Sequence, residues 1–283
     1  IGSAAGDVTL NEANLALGSA PSNSALTQSG TFTVNSTGGL YNLSIAGKVV
    51  LSNGTLVNYG APITTESGNT LRITGLNASN GVVTYTYTLV ANENHPAGLG
   101  ANQLTENLAV VASDRNGASA SSNIVVKVTD DAPRAVNDSN ATAADGSHLT
   151  LTGNVLSNDV QGADRIAGGP INAGTLAGKY GSLQLAADGS YTYTLNTASS
   201  GYTGLGPNGR GSESFTYTLR DADGDSATAQ LSINVVGPAP TGSASIVGIG
   251  SAAGDVTLNE ANLAQGSAPN NGALTQSGAF TVN

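Results

Sequence analysis

Apolar and polar residues alternate with a period of two through much of the chain. VVTYTYTLV (82–90), SYTYTL (190–195) and SFTYTLR (214–220) interleave aromatic or aliphatic residues with threonine. Successive side chains of a strand point to opposite faces, so this pattern predicts half-buried strands. Tyr85, Tyr87 and Leu89 are expected on one face, with Thr84, Thr86 and Thr88 on the other. The same reasoning puts Tyr191, Tyr193 and Leu195, and Phe215, Tyr217 and Leu219, on inward faces. NIVVKV (123–128) and LSINVV (231–236) predict further strands. Asn80-Gly81, Asn116-Gly117, Asp188-Gly189 and Asp223-Gly224 are hairpin turns by composition. Helical periodicity is weak, and NEANLAL (11–17) predicts one turn at most. Short strands joined by such turns predict an all-β chain of immunoglobulin- or cadherin-like antiparallel β-sandwich modules in tandem.

Internal repeats set the organisation. Residues 249–283 restate residues 1–35 at an offset of 248, differing only at 17, 22, 24 and 31 of the first copy. That period is too long for a solenoid turn and suits one or two domains. A finer repeat lies inside it: residues 106–133 align without a gap to 213–240, at an offset of 107. Three segments are expected. Module A spans 1–133 with its first strand region truncated, module B spans 134–240, and 241–283 begins the next copy of module A. The chain thus reads as a slice of a longer array, and no leader is expected on an internal piece.

Composition narrows the class. There are 38 glycines, no cysteine and a net charge of −10. No disulfide framework or cysteine metal site is possible. The negative charge argues against nucleic acid and favours cations as partners. No apolar run is long enough for a membrane-spanning helix.

The acidic residues cluster. The joint VTDDAPRAVND (128–138) carries Asp130, Asp131, Asn137 and Asp138; the turn DADGD carries Asp221, Asp223 and Asp225; SNDVQGAD carries Asn158, Asp159 and Asp164. In a seven-stranded sandwich the loops that carry these residues lie at the pole where the first strand enters. The three groups are therefore expected to converge, and carboxylates so packed repel unless a cation sits between them. Oxygen ligands without His or Cys suit Ca²⁺. The expected metal ligands are Asp130, Asp131, Asn137, Asp138, Asp159, Asp221, Asp223 and Asp225, with Asp164 nearby. The matching turn of module A, Asp114-Arg115-Asn116-Gly117-Ala118, has lost two carboxylates, and its upstream joint reads GPAP (237–240). Asp7 and Glu12, repeated as Asp255 and Glu260, are candidate ligands near that pole or plain surface charges.

Other chemistry finds little support. His95 and His148, the only histidines, lie in polar, turn-rich stretches and read as solvated loop residues. With no HxxxH spacing, zinc is not expected. No nucleophile motif or phosphate-cradling loop occurs, so no enzyme is expected.

Module B, through AVND, GNVLSND, YGSLQLAADGSYTYTLN and SESFTYTLRDADGDSATAQLSINV, resembles the repeat named for Vibrio, Colwellia, Bradyrhizobium and Shewanella. Module A, through GDVTLNEANL, SGTFTV, TLRITGL, VTYTYTL and TDDAP, is similar to the longer companion repeat of giant bacterial adhesins exported by type I secretion. The resemblance implies calcium-stiffened extracellular spacers at the cell surface, holding an adhesive tip outward in adhesion and biofilm formation. Matched residue by residue, it implies calcium ligands at Asp130, Asp131, Asn137, Asp138, Asp221, Asp223 and Asp225. Partners are then neighbouring repeats of the same chain. Two alternatives remain: modules that themselves bind a glycan or surface, for which Tyr41, Tyr59, Tyr180 and Tyr202 are the available tyrosines, and assembly with other copies into a filament.

Overall fold

The computed structural model describes residues 7–96, 100–142, 149–240, 246–247, 258, 263, 265–269 and 281–282. The chain divides into two units, Ile1–Gly237 and Pro238–Asn283. In the second, Ile246–Val247 pairs antiparallel with Thr281–Val282.

The described residues of the first unit form seventeen strands. β1 (Val8–Asn11), β2 (Thr27–Thr33), β3 (Leu40–Ile45), β4 (Lys48–Ser52) and β5 (Thr55–Leu56) come first. β6 (Ile63–Thr64), β7 (Thr70–Asn77), β8 (Val82–Thr88), β9 (Gln103–Asp114) and β10 (Ser119–Thr129) follow. β11 (Asp138–Ala141), β12 (Thr150–Asn154), β13 (Gly174–Ala177) and β14 (Gly181–Leu185) continue the chain. β15 (Ser190–Leu195), β16 (Arg210–Arg220) and β17 (Ser226–Val236) close it. The sheet orders are β1-β10-β9-β3-β4-β5 and β2-β8-β7-β6, then β11-β17-β16 and β12-β15-β14-β13. All strand pairs are antiparallel except β1 with β10 and β11 with β17, which run parallel. In each sandwich the first strand thus lies alongside the last, the edge arrangement of immunoglobulin-like folds.

Alternation puts the side chains where the sequence pattern requires. Tyr85, Tyr87, Leu89, Tyr193, Leu195, Tyr217 and Leu219 are all buried. Two hydrophobic cores result. The first gathers residues from Val8 to Val128, and the second gathers residues from Leu151 to Val235. One residue crosses over: Ala163, from the loop between β12 and β13, packs into the first core. Each fully buried Leu, Ile or Val contributes roughly 1.5–3 kcal/mol.

Each core carries one repeated polar device. Glu106 on β9 accepts the Tyr87 hydroxyl proton at 2.6 Å and the Ser67 N–H at 3.2 Å. Glu213 on β16 accepts the Tyr193 hydroxyl at 2.5 Å and the Tyr180 N–H at 2.9 Å. In both sandwiches a carboxylate on one sheet thus holds a tyrosine on the other. The expected weak turn at 11–17 is a 3-10 turn, Glu12–Asn14, capped by Asn11 Oδ1 on the Ala13 N–H at 2.7 Å. A one-turn helix, Ser200–Thr203, was not expected; Ser199 caps it through the Tyr202 N–H. No helix among the described residues is long and apolar enough to cross a membrane.

Candidate metal centre at the joint

The joint leaves β10 at Thr129 and enters β11 at Asp138. Asp130 is fixed first: its N–H donates to Asn102 O at 3.0 Å. Asp131 turns the other way, and its carboxylate accepts the N–H of Ser19 at 2.7 Å and the Ser19 hydroxyl at 2.5 Å. Gly162 sits against this residue in the left-handed region (φ +91), where a Cβ would stand 2.0 Å from Asp131 O. The close approach of the two segments therefore requires glycine. Arg165 secures the same corner through its Nη2 donating to Leu17 O at 3.1 Å.

The turn between β16 and β17 brings its aspartates to this corner. Asp221 Oδ1 accepts the N–H groups of Gly224 at 3.0 Å and Asp225 at 2.7 Å. Gly224, at φ +104, allows the chain to double back. Ala222 N–H donates to Asp164 O at 2.9 Å, which fastens the turn to the loop after β12. Asp130, Asp223 and Asp225 then present carboxylate oxygens all within 4.8 Å of one another.

From the first sandwich, Glu12 and His95 enter the same cluster. Glu12 Oε1, His95 Nε2 and a carboxylate oxygen of Asp130 also lie within 4.8 Å of one another. Glu12 Oε1 accepts the Glu93 N–H at 2.5 Å, and Asn92 donates its side-chain amide to Asp164 Oδ1. Asp164 faces both Glu12 and Asp223.

Six carboxylates thus meet at the joint: Glu12, Asp130, Asp164, Asp221, Asp223 and Asp225. Among the described residues no lysine or arginine lies within 4 Å of any carboxylate, and the one histidine beside a carboxylate is His95, with Nε2 3.4 Å from Glu12 Oε1. Both oxygens of Asp130, Asp223 and Asp225, and one each of Glu12, Asp164 and Asp221, are shielded from solvent without a hydrogen-bond partner. An unsatisfied buried charge is costly, and such groups are ordinarily paired or bound to metal. Burial, reinforced by the charges of Asp164 and Asp130, pushes Glu12 up to about 9. Burial and the Asp223 charge push Asp130 up to about 7, and burial and Asp223 do the same to Asp221. Asp164 is raised as well, by burial first. Such an array of orphaned oxygens, spaced for one ion to touch three at once, fits a hard divalent cation.

Three sequence candidates lie elsewhere. Asn137 Oδ1 accepts the Gln230 N–H at 2.9 Å. Asp138 and Asp159 face the Tyr217 hydroxyl, at 2.9 and 3.1 Å, beside the carbonyls of Val136 and Val155 at 3.0 and 3.3 Å. Burial raises both carboxylates. The separation follows from chain length: eight extended residues, from 130 to 138, can span roughly 26 Å. Asp138 already belongs to β11 and follows its register with β17. Asp7 accepts the Val125 N–H at 3.2 Å, outside the cluster. Asp255 and Glu260 lie outside the described residues. In the first sandwich, Asp114 accepts the N–H groups of Asn116 and Ala118, both at 2.9 Å, much as Asp221 accepts two N–H groups in its own turn.

His95 corrects the sequence reading. It is not a solvated loop residue but 4% exposed. Its polar flanks misled, because burial here comes from the joint closing over it. His148 lies outside the described residues. Of the tyrosines considered for surface binding, Tyr180 and Tyr202 are buried, whereas Tyr59 is exposed.

Comparison with solved structures returns cadherin ectodomains at low similarity. A protocadherin gammaB7 EC3-6 cis-dimer shares 13% identity, covering 85% of this chain and 47% of that one, with a TM-score of 0.30. Drosophila N-cadherin EC1-4 shares 14% identity over 82% and 47%, with a TM-score of 0.30. Mouse clustered PcdhgC3 EC1-3 shares 16% over 82% and 66%, with a TM-score of 0.27. The chain thus spans about half the length of the first of these. No curated protein matches it. Residues 130–237, from the first joint aspartate to the end of the second sandwich, match the family model of the bacterial cadherin-like domain.

Proposed function

We propose that this chain is a run of extracellular spacer modules from a large bacterial surface adhesin, stiffened by calcium at the joint between its sandwiches. Module A occupies 1–133, module B 134–240, and 241–283 opens the next copy. The observation that carries this reading is the set of six buried carboxylates, contributed by both sandwiches and the segment between them, with most of their oxygens unpartnered. A site whose ligands come from both sides of a joint couples ion binding to the angle between them. Asp130, Asp223 and Asp225 hold calcium; Asp221, Asp164 and Glu12 complete the anionic shell. Asp131 acts beside them as a clamp through Ser19. Asp138 and Asp159 support the fold of module B at Tyr217, and Asn137 does so at the Gln230 N–H.

The near-identical copies at 1–35 and 249–283 favour a spacer, which needs length and number more than individuality. The cadherin-like match over 130–237 favours an extracellular adhesion-type repeat. Isothermal titration of the calcium-depleted chain tests the reading. Saturable calcium uptake that disappears in Asp130→Asn is expected. Equal uptake by the wild type and by that variant overturns the assignment.

A further inference from the structure

The joint contains one group that calcium does not need. Calcium takes oxygen ligands, and a buried imidazole among carboxylates is foreign to such a site. The orientation of His95 is fixed from behind. Asn102 donates its amide nitrogen to Pro96 O and Gly100 O, both at 3.2 Å, so its Oδ1 must be the atom that faces His95 Nδ1 at 3.0 Å. A carbonyl oxygen only accepts, so Nδ1 carries the proton. In the neutral ring Nε2 therefore has a free lone pair, and it points at Glu12 and Asp130. Nε2 is shielded from solvent and has no hydrogen-bond partner. Its 3.4 Å distance to Glu12 Oε1 is too long for a hydrogen bond. It matches the edge of a tetrahedron whose corners lie about 2.1 Å from the centre, the zinc–nitrogen and zinc–oxygen distance. A histidine whose far nitrogen is pinned by an amide or carbonyl oxygen is the usual posture of a metal ligand.

The geometry points to a second cation position, formed by His95 Nε2, Glu12 and Asp130, that takes a divalent transition-metal ion of the zinc type beside the calcium held by Asp130, Asp223 and Asp225. Asp130, with both oxygens free, bridges the two. Charge supports two ions: six carboxylates, with no lysine or arginine within 4 Å of them among the described residues, leave a large residue of negative charge around a single divalent ion.

The inference rests on the calcium reading only for the shared carboxylate of Asp130, and the two fail separately. The whole 283-residue chain, saturated with calcium and labelled with ¹⁵N-histidine, is titrated with Zn²⁺ alone. Only two histidines exist, so His148 serves as the internal reference. One imidazole should shift at Nε2 with the first equivalent while its Nδ1 stays protonated, and calorimetry should find one zinc bound without release of calcium. His95→Gln should lose that equivalent and keep its calcium. Asn102→Ala should weaken zinc binding about 10- to 100-fold. Zinc that leaves both imidazoles unmoved, or binds His95→Gln as tightly as wild type, overturns the proposal. If His95→Gln fails to fold, the wild-type resonances decide alone. A chain that shifts His95 with zinc yet takes up no calcium leaves this site standing and sinks the calcium reading instead.

Discussion

Replacing Asp223 by Asn should change the stability of the chain in opposite directions with and without calcium. Both Asp223 oxygens are shielded and unpartnered, and they lie within 4.8 Å of oxygens of Asp130 and Asp225. At that separation two full charges repel by about 3.5 kcal/mol at an effective dielectric of about 20. The repulsion that can persist is smaller, because a proton can be taken up. Asp130, pushed up to about 7, is protonated at pH 8 for about 1.4 kcal/mol. Removing the Asp223 charge should therefore stabilise the calcium-free chain by about 1–2 kcal/mol. With calcium at a hundredfold excess over its dissociation constant, the lost site forfeits about 2.7 kcal/mol. The assay is urea unfolding of wild type and Asp223→Asn at pH 8, once in chelator and once in calcium. The variant's midpoint should be higher in chelator and lower in calcium. A shift of the same sign in both conditions refutes the electrostatic account of the joint.

Acidity should act in the same direction as that substitution. Glu12, Asp130 and Asp221 all have folded-state pKa values above their unfolded ones, about 9, 7 and 7. Their protonated forms favour folding: the stability they allow is complete below about pH 4 and is lost as pH rises towards 9. Calcium-free melting temperatures, corrected with the Asp223→Asn chain, should fall between pH 5 and 8, while the stabilisation by calcium grows; a flat profile contradicts this. The Glu213–Tyr193 contact should give a double-mutant coupling of about 1.5–3 kcal/mol with Glu213→Gln and Tyr193→Phe, as for a hydrogen bond to a charged group; additive effects in urea unfolding would mean the contact is not formed. Gly30→Ala should cost about 1–3 kcal/mol by overpacking, because a Cβ there would stand 2.3 Å from the Tyr85 ring; an unchanged unfolding midpoint would show that the ring moves freely.

The strands were legible because each repeats one local rule. Tyr85, Tyr87, Tyr193 and Tyr217 announce their faces by alternation alone, without reference to any partner. The parallel placement of β1 on β10 and β11 on β17 was not legible, since pairing Val8 with Val126 depends on contacts more than a hundred residues apart. At the joint, Asp130, Asp221, Asp223 and Asp225 were readable because DDAP and DADGD concentrate acids in turns that the topology puts at one pole. Asp138 and Asp159 bear the same residue type, but the register of β11 on β17 turns Asp138 to Tyr217, and Asp159 meets the same hydroxyl from the loop after β12. Glu12 was weighed against a plain surface charge, and nothing local distinguishes it from one. It is buried because a 3-10 turn at the start of one sandwich closes over the joint with the next. His95 was misread for the same reason. The local sequence around it, NENHPAG (92–98), carries no signal of that burial.

Calcium is expected to stiffen the joint between the two sandwiches. Small-angle scattering of the chain in calcium, then in chelator, at pH 8 tests it most directly. Rigidity should be lost on calcium removal: a distance distribution that broadens, reversed when calcium is restored and insensitive to calcium in Asp130→Asn. Superimposable profiles with and without calcium, from a chain shown by calorimetry to bind it, would mean that calcium does not stiffen the joint.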